Sequence, residues 1–311
     1  MDKKNQVIKV LPMRIRKLFQ NSEIEYRLLQ EIRLRGGQPI IVKYRNEEFF
    51  LRDKGGLGKE KREICYLLRE EIIESLEYIS NYSLYAYENQ IKQGFITVLG
   101  GHRIGIAGKV LVESGKVKKI TNVGMINIRL SHEVIGCAGP IFRLLEENGQ
   151  ICHTMIISPP GGGKTTLLRD LARMISESEK RLNVGIVDER SEIAACYKGI
   201  PQNDVGIRSD VLDGCPKSEG MLMLIRSMSP QVLVVDELGA KEDIVALQYA
   251  MNCGCKILAT IHGSSWGEIM SKPFLREIID NKLFQRFVLL GNGTQAGTVL
   301  DVYNQKGQSL I

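Results

Sequence analysis

The sequence of 311 residues contains no run of the ~20 apolar residues that a membrane-spanning helix requires. Its first residues lead into no apolar segment of the kind found in secretory signal peptides. It also has no internal repeat and no low-complexity tract. Hydrophobic residues make up 43% and charged residues 25%, an ordinary globular balance, so long disordered stretches are not expected. We expect a folded cytoplasmic chain that is large enough for two domains.

Cysteine spacing supports neither a disulfide framework nor a zinc site. The seven cysteines are an odd number, and only Cys253 and Cys255 lie close together in the sequence. No second cysteine pair or histidine cluster completes a metal site. We therefore expect reduced thiols, as is usual in the cytoplasm.

Aromatic residues are scarce, at 6%, and no basic stripe is interleaved with them. The formal net charge is +6, from 42 basic and 36 acidic residues. Such a mild excess permits contact with nucleic acid or an anionic membrane but requires neither. Because sequence-tolerant binding of single strands uses aromatic stacking, we expect no nucleic-acid partner.

The pattern of the chain changes near residue 135. Residues 1–135 are typical of a small α/β domain, with strand-like segments at 38–44, 94–112 and 123–130. The helical spacing of apolar residues predicts a helix over 61–80. Residues 136–311 alternate apolar strands with helices, and this alternation predicts a mainly parallel sheet covered on both faces. The predicted strands lie at 154–157, 184–187, 232–235, 256–261, 286–290 and 298–303, and the helices near 164–176, 217–228 and 240–252.

A glycine-rich loop follows the strand at 154–157 and precedes a helix. Backbone N–H groups at 161–165 can surround a phosphate, and the helix N-terminus adds its positive end. The loop therefore predicts an ATP site in which Lys164 reaches the β- and γ-phosphates and the Thr165 hydroxyl binds Mg2+. The loop consists of Ser158, Pro159, Pro160, Gly161, Gly162, Gly163, Lys164, Thr165 and Thr166.

The start of this loop departs from the usual pattern, which begins with glycine. Ser158 occupies that position, and Pro159 and Pro160 have no N–H group to donate. We expect the loop to tolerate these residues because the phosphate-binding amides come from its later half.

Two acidic pairs follow predicted strands: Asp236 with Glu237, and Asp188 with Glu189. We expect Asp236 to hold Mg2+, directly or through water, and Glu237 to polarise the attacking water. Positioning and charge stabilisation account for most of the catalysis in phosphoryl transfer. Glu189 is a second candidate for activating water, and the sequence leaves the choice between the two glutamates open.

His262 and Arg190 are further candidate site residues. His262 follows the strand at 256–261, at the sheet edge where open α/β sheets bind ligands, so we expect it to sense the γ-phosphate. Arg190 follows Glu189 and could pair with it or point at phosphate.

These motifs together resemble those of the secretion ATPases, the hexameric type II and type IV traffic motors. The resemblance identifies 158–166 with their Walker A loop, 187–192 with their Asp box and 259–264 with their His box. Segment 224–237 is similar to an arginine-containing helix end followed by Walker B. The family has Gly-Glu in many members where this chain has Asp236 and Glu237, so the water-activating glutamate stays open. The resemblance implies a RecA-like P-loop domain after a smaller N-terminal domain.

The N-terminal part carries two arginines that resemble residues reaching the nucleotide across the domain cleft. They are Arg103, in the sequence Gly-His-Arg, and Arg129, in Ile-Asn-Ile-Arg. Over its whole length the chain also resembles the stage III sporulation protein AA family. That resemblance implies a hexameric ATPase of the mother-cell cytoplasm, peripheral at the membrane, which powers or gates a channel to the forespore. Its partners would be membrane proteins of the channel, with membrane contact only through them.

Three other functions remain open from the residues. The P-loop is compatible with a nucleic-acid-dependent ATPase, although the composition does not favour one. A small-molecule kinase is also possible, but a glutamate after Asp236 suits the activation of water. A nucleotide-gated scaffold with negligible turnover is a third possibility, because an intact motif does not fix a rate.

Overall fold

The computed structural model describes residues 3–271 and 278–311. Within these residues the chain divides into two units, Met1–His132 and Glu133–Ile311. Each unit is built around its own large sheet. The seven cysteines carry free thiols. Among the helices of the described ranges, length and hydropathy leave none able to span a bilayer.

The first unit is an antiparallel sheet with helices. Within residues 3–132, its strands follow the order β4-β3-β2-β1-β7-β6-β5 across the sheet. The turn between β2 and β3 has positive φ at Arg45 and Asn46, as a tight two-residue hairpin turn requires. Its elements are α1 (Lys3–Lys9), α2 (Met13–Gln20), β1 (Leu29–Arg35), β2 (Ile41–Tyr44), β3 (Glu47–Leu51), β4 (Leu57–Gly58), α3 (Arg69–Ile79), α4 (Glu88–Lys92), β5 (Phe95–Val98), β6 (His102–Glu113) and β7 (Lys116–Arg129).

The helix predicted over 61–80 begins only at Arg69, so the first part of that prediction is wrong. Cys65 donates its backbone N–H to the Leu51 carbonyl at 2.9 Å, and Leu67 donates to Gln38 at 3.0 Å. These bonds to distant segments hold the chain extended before α3. Tertiary pairing therefore overrides the local helical spacing.

Strands β6 and β7 are longer than their neighbours. β1 pairs with β7 only at 125–129, and β5 pairs with β6 only at 102–105. The register of β6 with β7 continues outward from this sheet to the Glu113–Lys116 pair. Residues 109–121 therefore form a two-stranded extension, which we call the outer ribbon.

The second unit carries the predicted strand–helix alternation. Its described elements are α5 (Gly139–Phe142), β8 (Glu146–Glu147), β9 (Gln150–Ile151), β10 (Thr154–Ser158), α6 (Lys164–Glu177), β11 (Val184–Asp188), β12 (Ser209–Asp213), α7 (Lys217–Met228), β13 (Val232–Val235), α8 (Lys241–Asn252), β14 (Lys256–His262), α9 (Trp266–Ser271), β15 (Arg286–Leu290) and β16 (Val299–Asn304). Short β8 and β9 pair only with each other.

The main sheet of this unit confirms the predicted fold class. Across residues 133–271 and 278–311, its strands follow the order β12-β11-β13-β14-β10-β15-β16. All neighbouring pairs are parallel except β15 with β16, which are antiparallel. The carboxyl ends of the parallel strands meet at one edge, where ligands of open α/β sheets bind.

Helices cover both faces of this sheet. Successive residues of β10 point to opposite faces: Ile156 belongs to the core beneath α6, whereas Met155 and Ile157 belong to the core beneath α7 and α8. All three are fully buried. This burial on both faces explains why β10 reads as a continuous apolar run rather than an alternating one.

We expect Ile156→Ala to lower the free energy of unfolding of the second unit by about 2–5 kcal/mol, because it leaves a cavity in a central strand. Ile207→Ala is the matched control: Ile207 is 78% exposed, and surface changes usually stay within about 0.5 kcal/mol. Urea unfolding followed by the fluorescence of Trp266 measures both, because it is the only tryptophan and its ring lies 4.9 Å from that of Phe287. Equal midpoints for the two variants would contradict this account of the core.

Candidate functional site

The glycine-rich loop connects the end of β10 to the start of α6. Gly161 and Gly163 have φ of 75° and 93°, the left-handed region that glycine adopts without strain. A Cβ on Gly162 would lie 1.8 Å from the Ser158 hydroxyl and 2.8 Å from the Gly291 carbonyl oxygen. Gly161 and Gly163 are therefore required by their backbone angles, and Gly162 is required because a side chain there would clash with its neighbours.

Ser158, the departure from the usual loop pattern, fits this geometry. Its side chain is fully buried, and its hydroxyl donates to the Pro159 carbonyl at 3.0 Å. The hydroxyl fills the space that a larger residue at 162 would need. The serine is compatible with the loop because Gly162 lies above it.

The turn between β15 and β16 also contacts this loop. Gly297 donates its backbone N–H to the Gly162 carbonyl at 3.1 Å. A Cβ on Gly163 would lie 3.1 Å from the Cα of Gly297. The glycine-rich loop and the turn therefore approach each other closely at Gly163 and Gly297.

Lys164 is buried and folds back across the loop. Its ammonium donates to the carbonyls of Ser158 at 3.0 Å and Pro159 at 3.1 Å, and to His262 Nδ1 at 3.1 Å. Burial lowers the pKa of Lys164, and the carboxylates of Asp236 and Glu237 oppose that shift. The loop thus concentrates a desolvated positive charge beside its backbone amides.

Asp236 is held at the end of β13 by two threonine hydroxyls. Thr165 donates to Asp236 Oδ2 at 2.8 Å, and Thr260 donates to Asp236 Oδ1. The same Thr260 oxygen accepts the backbone N–H of Glu237 at 2.8 Å. One hydroxyl on β14 therefore orients both acidic residues.

A hydroxyl beside a carboxylate suits Mg2+, which binds oxygen ligands and usually keeps waters and substrate phosphates in its shell. Thr165 and Asp236 provide this pair. Within the described residues, no group of three or more His, Cys, Asp or Glu side chains is arranged to hold a metal. The donor set therefore fits a metal that arrives with a phosphate ligand better than one held by protein alone.

Glu237 lies between two nitrogen donors. Its Oε1 is 3.0 Å from His262 Nε2 and its Oε2 is 2.7 Å from Arg190 Nη1. The Lys164 ammonium can only donate, so His262 Nδ1 accepts and the proton resides on Nε2, which donates to Glu237. Glu237 has φ of 52°, an uncommon angle for glutamate that turns the chain sharply after β13.

The second acidic pair is arranged differently. Asp188 is buried and accepts the backbone N–H groups of the four residues 192–195 at 2.8–3.2 Å. Burial raises the pKa of Asp188, and these hydrogen bonds oppose that shift. Asp188 therefore organises the loop after β11 rather than facing a ligand.

Glu189 forms an ion pair with Lys217, at the start of α7. Arg190 bonds to Glu237 and not to Glu189. From α6, buried Arg169 donates to the carbonyl oxygens of Glu192 and Ile193. The loop after β11 is thus fastened to the helix that follows the glycine-rich loop.

The structure brings most of the predicted site residues together at the carboxyl edge of the sheet. The loop residues, Thr165, Asp236, Glu237 and His262 form one connected set of contacts. The remaining loop residues lie at its margins, with Pro160 and Gly161 exposed and Thr166 half-buried on α6.

Arg103 and Arg129 lie in the first unit. They occupy paired positions on β6 and β7. The Arg103 guanidinium stacks 3.7 Å from the centre of the Phe95 ring, and Arg129 is exposed. Their contact with nucleotide stays a prediction.

Thr260 is the main residue that sequence reasoning missed. The register pairs Val235 with Ala259, so Asp236 and Thr260 are the next residues along two adjacent strands. An alignment of the ends of the two predicted strands would have found it. No sequence pattern predicted the contact between Arg190 and Glu237, because it joins two loops whose conformations depend on the whole fold.

Comparison with known proteins shows similarity over the full length of the chain. A family profile described as "Sporulation stage III, protein AA" matches residues 1–310. Stage III sporulation protein AA of Bacillus subtilis (strain 168) is 39% identical over 310 residues, which is 98% of this chain and 97% of that protein.

Two solved structures share the fold at low sequence identity. The Legionella pneumophila ATPase DotB has a TM-score of 0.54 and 17% identity, with 85% of this chain and 72% of that chain covered. The pilus retraction motor PilT, solved with bound ADP, has a TM-score of 0.53 and 14% identity, with 84% and 74% covered. These likenesses establish the RecA-like P-loop fold with a preceding domain.

We expect Gly162→Ala to weaken the binding of ATP with Mg2+ by about tenfold or more, because overpacking costs about 1–3 kcal/mol and shifts the loop. Titration calorimetry measures the affinity. Gly267→Ala in α9 is the control, because a Cβ there meets nothing within 4 Å. Unchanged affinity in Gly162→Ala would show that the loop does not form the phosphate site.

Proposed function

The chain belongs to the sporulation stage III protein AA family, and from that membership we propose that it hydrolyses ATP to ADP and phosphate to drive or gate a secretion-like complex in endospore formation. The observation that carries the proposal is the series of polar contacts from Lys164 through His262 to Glu237, beside the Thr165–Asp236 pair. It supports the proposal because the ammonium that would bind phosphate, the pair that would bind Mg2+ and a carboxylate lie close together at one sheet edge.

The glycine-rich loop would bind the triphosphate. Backbone N–H groups at 161–165 and the N-terminus of α6 favour negative charge. Lys164 would exchange its contact with His262 for a phosphate oxygen, and the bound charge would offset the burial that lowers the pKa of Lys164. The resting contacts of Lys164 therefore keep its charge hydrogen-bonded until ATP arrives.

Thr165 and Asp236 would hold Mg2+ with ATP. Held by these two residues, Mg2+ would supply positive charge that offsets the charge of the phosphate oxygens. Thr260 keeps the Asp236 carboxylate in place through its hydrogen bond, while the Thr165 hydroxyl already lies 2.8 Å from that carboxylate. The two side chains are already adjacent, so neither β13 nor α6 would need to move for them to bind one metal ion.

Glu237 would orient the attacking water, and the geometry favours it over Glu189. His262 connects Glu237 to the phosphate-loop lysine, whereas Glu189 is engaged by Lys217. Arg190 and His262 both bond the Glu237 carboxylate and fix its direction. An in-line displacement depends mostly on such positioning.

We also propose that the working form is a ring of identical subunits, with membrane proteins of a sporulation channel as partners. The support is the family membership together with the fold shared with DotB and PilT. The place of action would be the mother-cell side of the membrane. PilT was solved with bound ADP, which supports the proposal that this chain also binds an adenine nucleotide.

We expect Lys164→Ala to reduce phosphate release from ATP by about 100- to 1,000-fold, the usual loss for one preorganised charge-stabilising donor. The assay contains Mg2+ and no added acceptor, so a kinase that needs a second substrate would release no phosphate. Lys306→Ala, in an exposed turn of the same unit, serves as control. If the wild-type chain released phosphate as slowly as Lys164→Ala, the chain would be a nucleotide-gated scaffold. If Lys164→Ala hydrolysed ATP as fast as an active wild-type chain, the role assigned to Lys164 would be refuted.

The two glutamates are distinguished by Glu237→Gln and Glu189→Gln. We expect Glu237→Gln to lower kcat by about 100-fold or more with ATP binding retained, because a neutral amide cannot accept the proton of the attacking water. Glu189→Gln should lower kcat by less, through the loss of its pair with Lys217. A larger loss in Glu189→Gln would assign the role to Glu189 instead.

A further inference from the structure

The outer ribbon has one apolar face and one basic face. Val110 pairs with Ile120 and Val112 with Val117, and paired residues of adjacent strands share a face. Val110 and Val112 share a face because side chains alternate along a strand, and the register shift between Leu111 and Val112 keeps their partners Ile120 and Val117 beside them. Leu111 is on the opposite face, with Lys109 and Lys119.

The apolar face is open to solvent. Val112 is 63%, Val110 45% and Val117 42% exposed. A two-stranded ribbon without further strands or a packed helix is marginally stable in water. An exposed apolar patch with a polar surround usually marks an interaction site. The face is therefore a contact surface rather than part of the core.

A cavity of about 330 Å3 continues this apolar surface at the base of the ribbon. Its lining combines Lys119, Ile120 and Val123 of β7 with Ile106 of the same sheet and with apolar and charged residues of the helical layer, namely Leu76, Tyr85, Glu88, Ile91 and Lys92. The cavity therefore adjoins the ribbon at Lys119 and Ile120, and its wall is both apolar and charged.

The net positive charge of the ribbon indicates that its partner is anionic. Residues 109–119 contain four lysines and one glutamate, a net charge of +3 (4 − 1). Lys118 pairs with that glutamate, Glu113, at 2.9 Å. The segment 109–121 contains no aromatic residue on which nucleic-acid bases could stack. Amphipathic helices that lie in the interface of an anionic bilayer combine an apolar face with lysines and arginines, and the ribbon has the same two kinds of side chain.

We propose that the outer ribbon is a membrane-contacting element. Its apolar face enters the interface of an anionic bilayer, and Lys109 and Lys119 reach around to the lipid phosphates. Lysine stems can extend along apolar surface while the ammonium stays in the polar layer. The ribbon would then bind the membrane directly, in addition to the contact through partner proteins expected from the sequence.

Co-sedimentation of the full chain with vesicles tests the proposal. We expect binding to vesicles of phosphatidylcholine with phosphatidylglycerol, weak binding to phosphatidylcholine alone, and loss of binding at high salt, because surface charges are screened. Equal binding to both vesicle types, or to neither, would overturn the proposal. So would binding of a DNA duplex or single strand through the same lysines without binding to vesicles.

Two double variants separate the contributions of the faces. Lys109→Gln with Lys119→Gln should reduce partitioning about 30-fold, because each lysine near an anionic surface contributes about fivefold. Val112→Ser with Val117→Ser should reduce it by at least about tenfold through lost apolar burial. Lys241→Gln with Lys306→Gln, both exposed and remote in sequence, removes the same charge and should bind like the wild type.

Thermal unfolding checks that each variant keeps the wild-type fold, which we expect because the substituted side chains are exposed. A ribbon variant that folds and binds vesicles like the wild type would overturn the proposal. Loss of binding in the lysine variant, with the valine variant unchanged, would overturn the insertion of the apolar face. If the ribbon lysine variant and the control variant lost vesicle binding to the same extent, net charge alone would explain the loss. That result would also overturn the proposal.

Discussion

The parallel register of three adjacent strands is the constraint on which the candidate site depends. It pairs Ser158 with His262 and Val235 with Ala259, so the phosphate loop, the histidine and the acidic pair emerge at one sheet edge. A slip of one residue would turn every side chain of a strand to the opposite face. Apolar packing on both faces of β10 prevents that slip, and the core thereby sets the geometry of polar groups that it does not contact.

The polar groups at this edge stabilise one another because few of them are fully hydrated. A buried ammonium without partners would be very costly, and Lys164 avoids that cost through two carbonyls and one imidazole. Thr260 fixes Asp236 and the backbone of Glu237 through a single oxygen. Such a network is specific only when every member has its partner, since one missing donor leaves its acceptor buried and unsatisfied.

The sequence predicted the sheet of the second unit well because its strands are apolar runs between helices. Strand β12 was missed, since Ser209–Asp213 begins and ends with polar residues and only Val211 and Leu212 between them are apolar, too few to form a pattern. In the first unit, extended residues before α3 were predicted as helix because their partners, Leu51 and Gln38, are distant in sequence. Motifs in the sequence predicted which residues form the site. They did not predict the pairing of Arg190 with Glu237, because that contact depends on the conformation of two loops.

Surface turns between antiparallel strands usually tolerate insertions and sequence drift. The turn from Gly291 to Thr298 has little of that freedom, because it forms part of the wall of the phosphate loop. A Cβ on Gly163 would lie 3.1 Å from the Cα of Gly297, and Gly297 itself has φ of 83°, an angle that residues with a side chain rarely adopt. A lengthened or bulkier turn here would act on nucleotide binding from more than a hundred residues away in the sequence. Divergence in this turn among relatives is thus a sign of altered geometry in the glycine-rich loop rather than of neutral surface change.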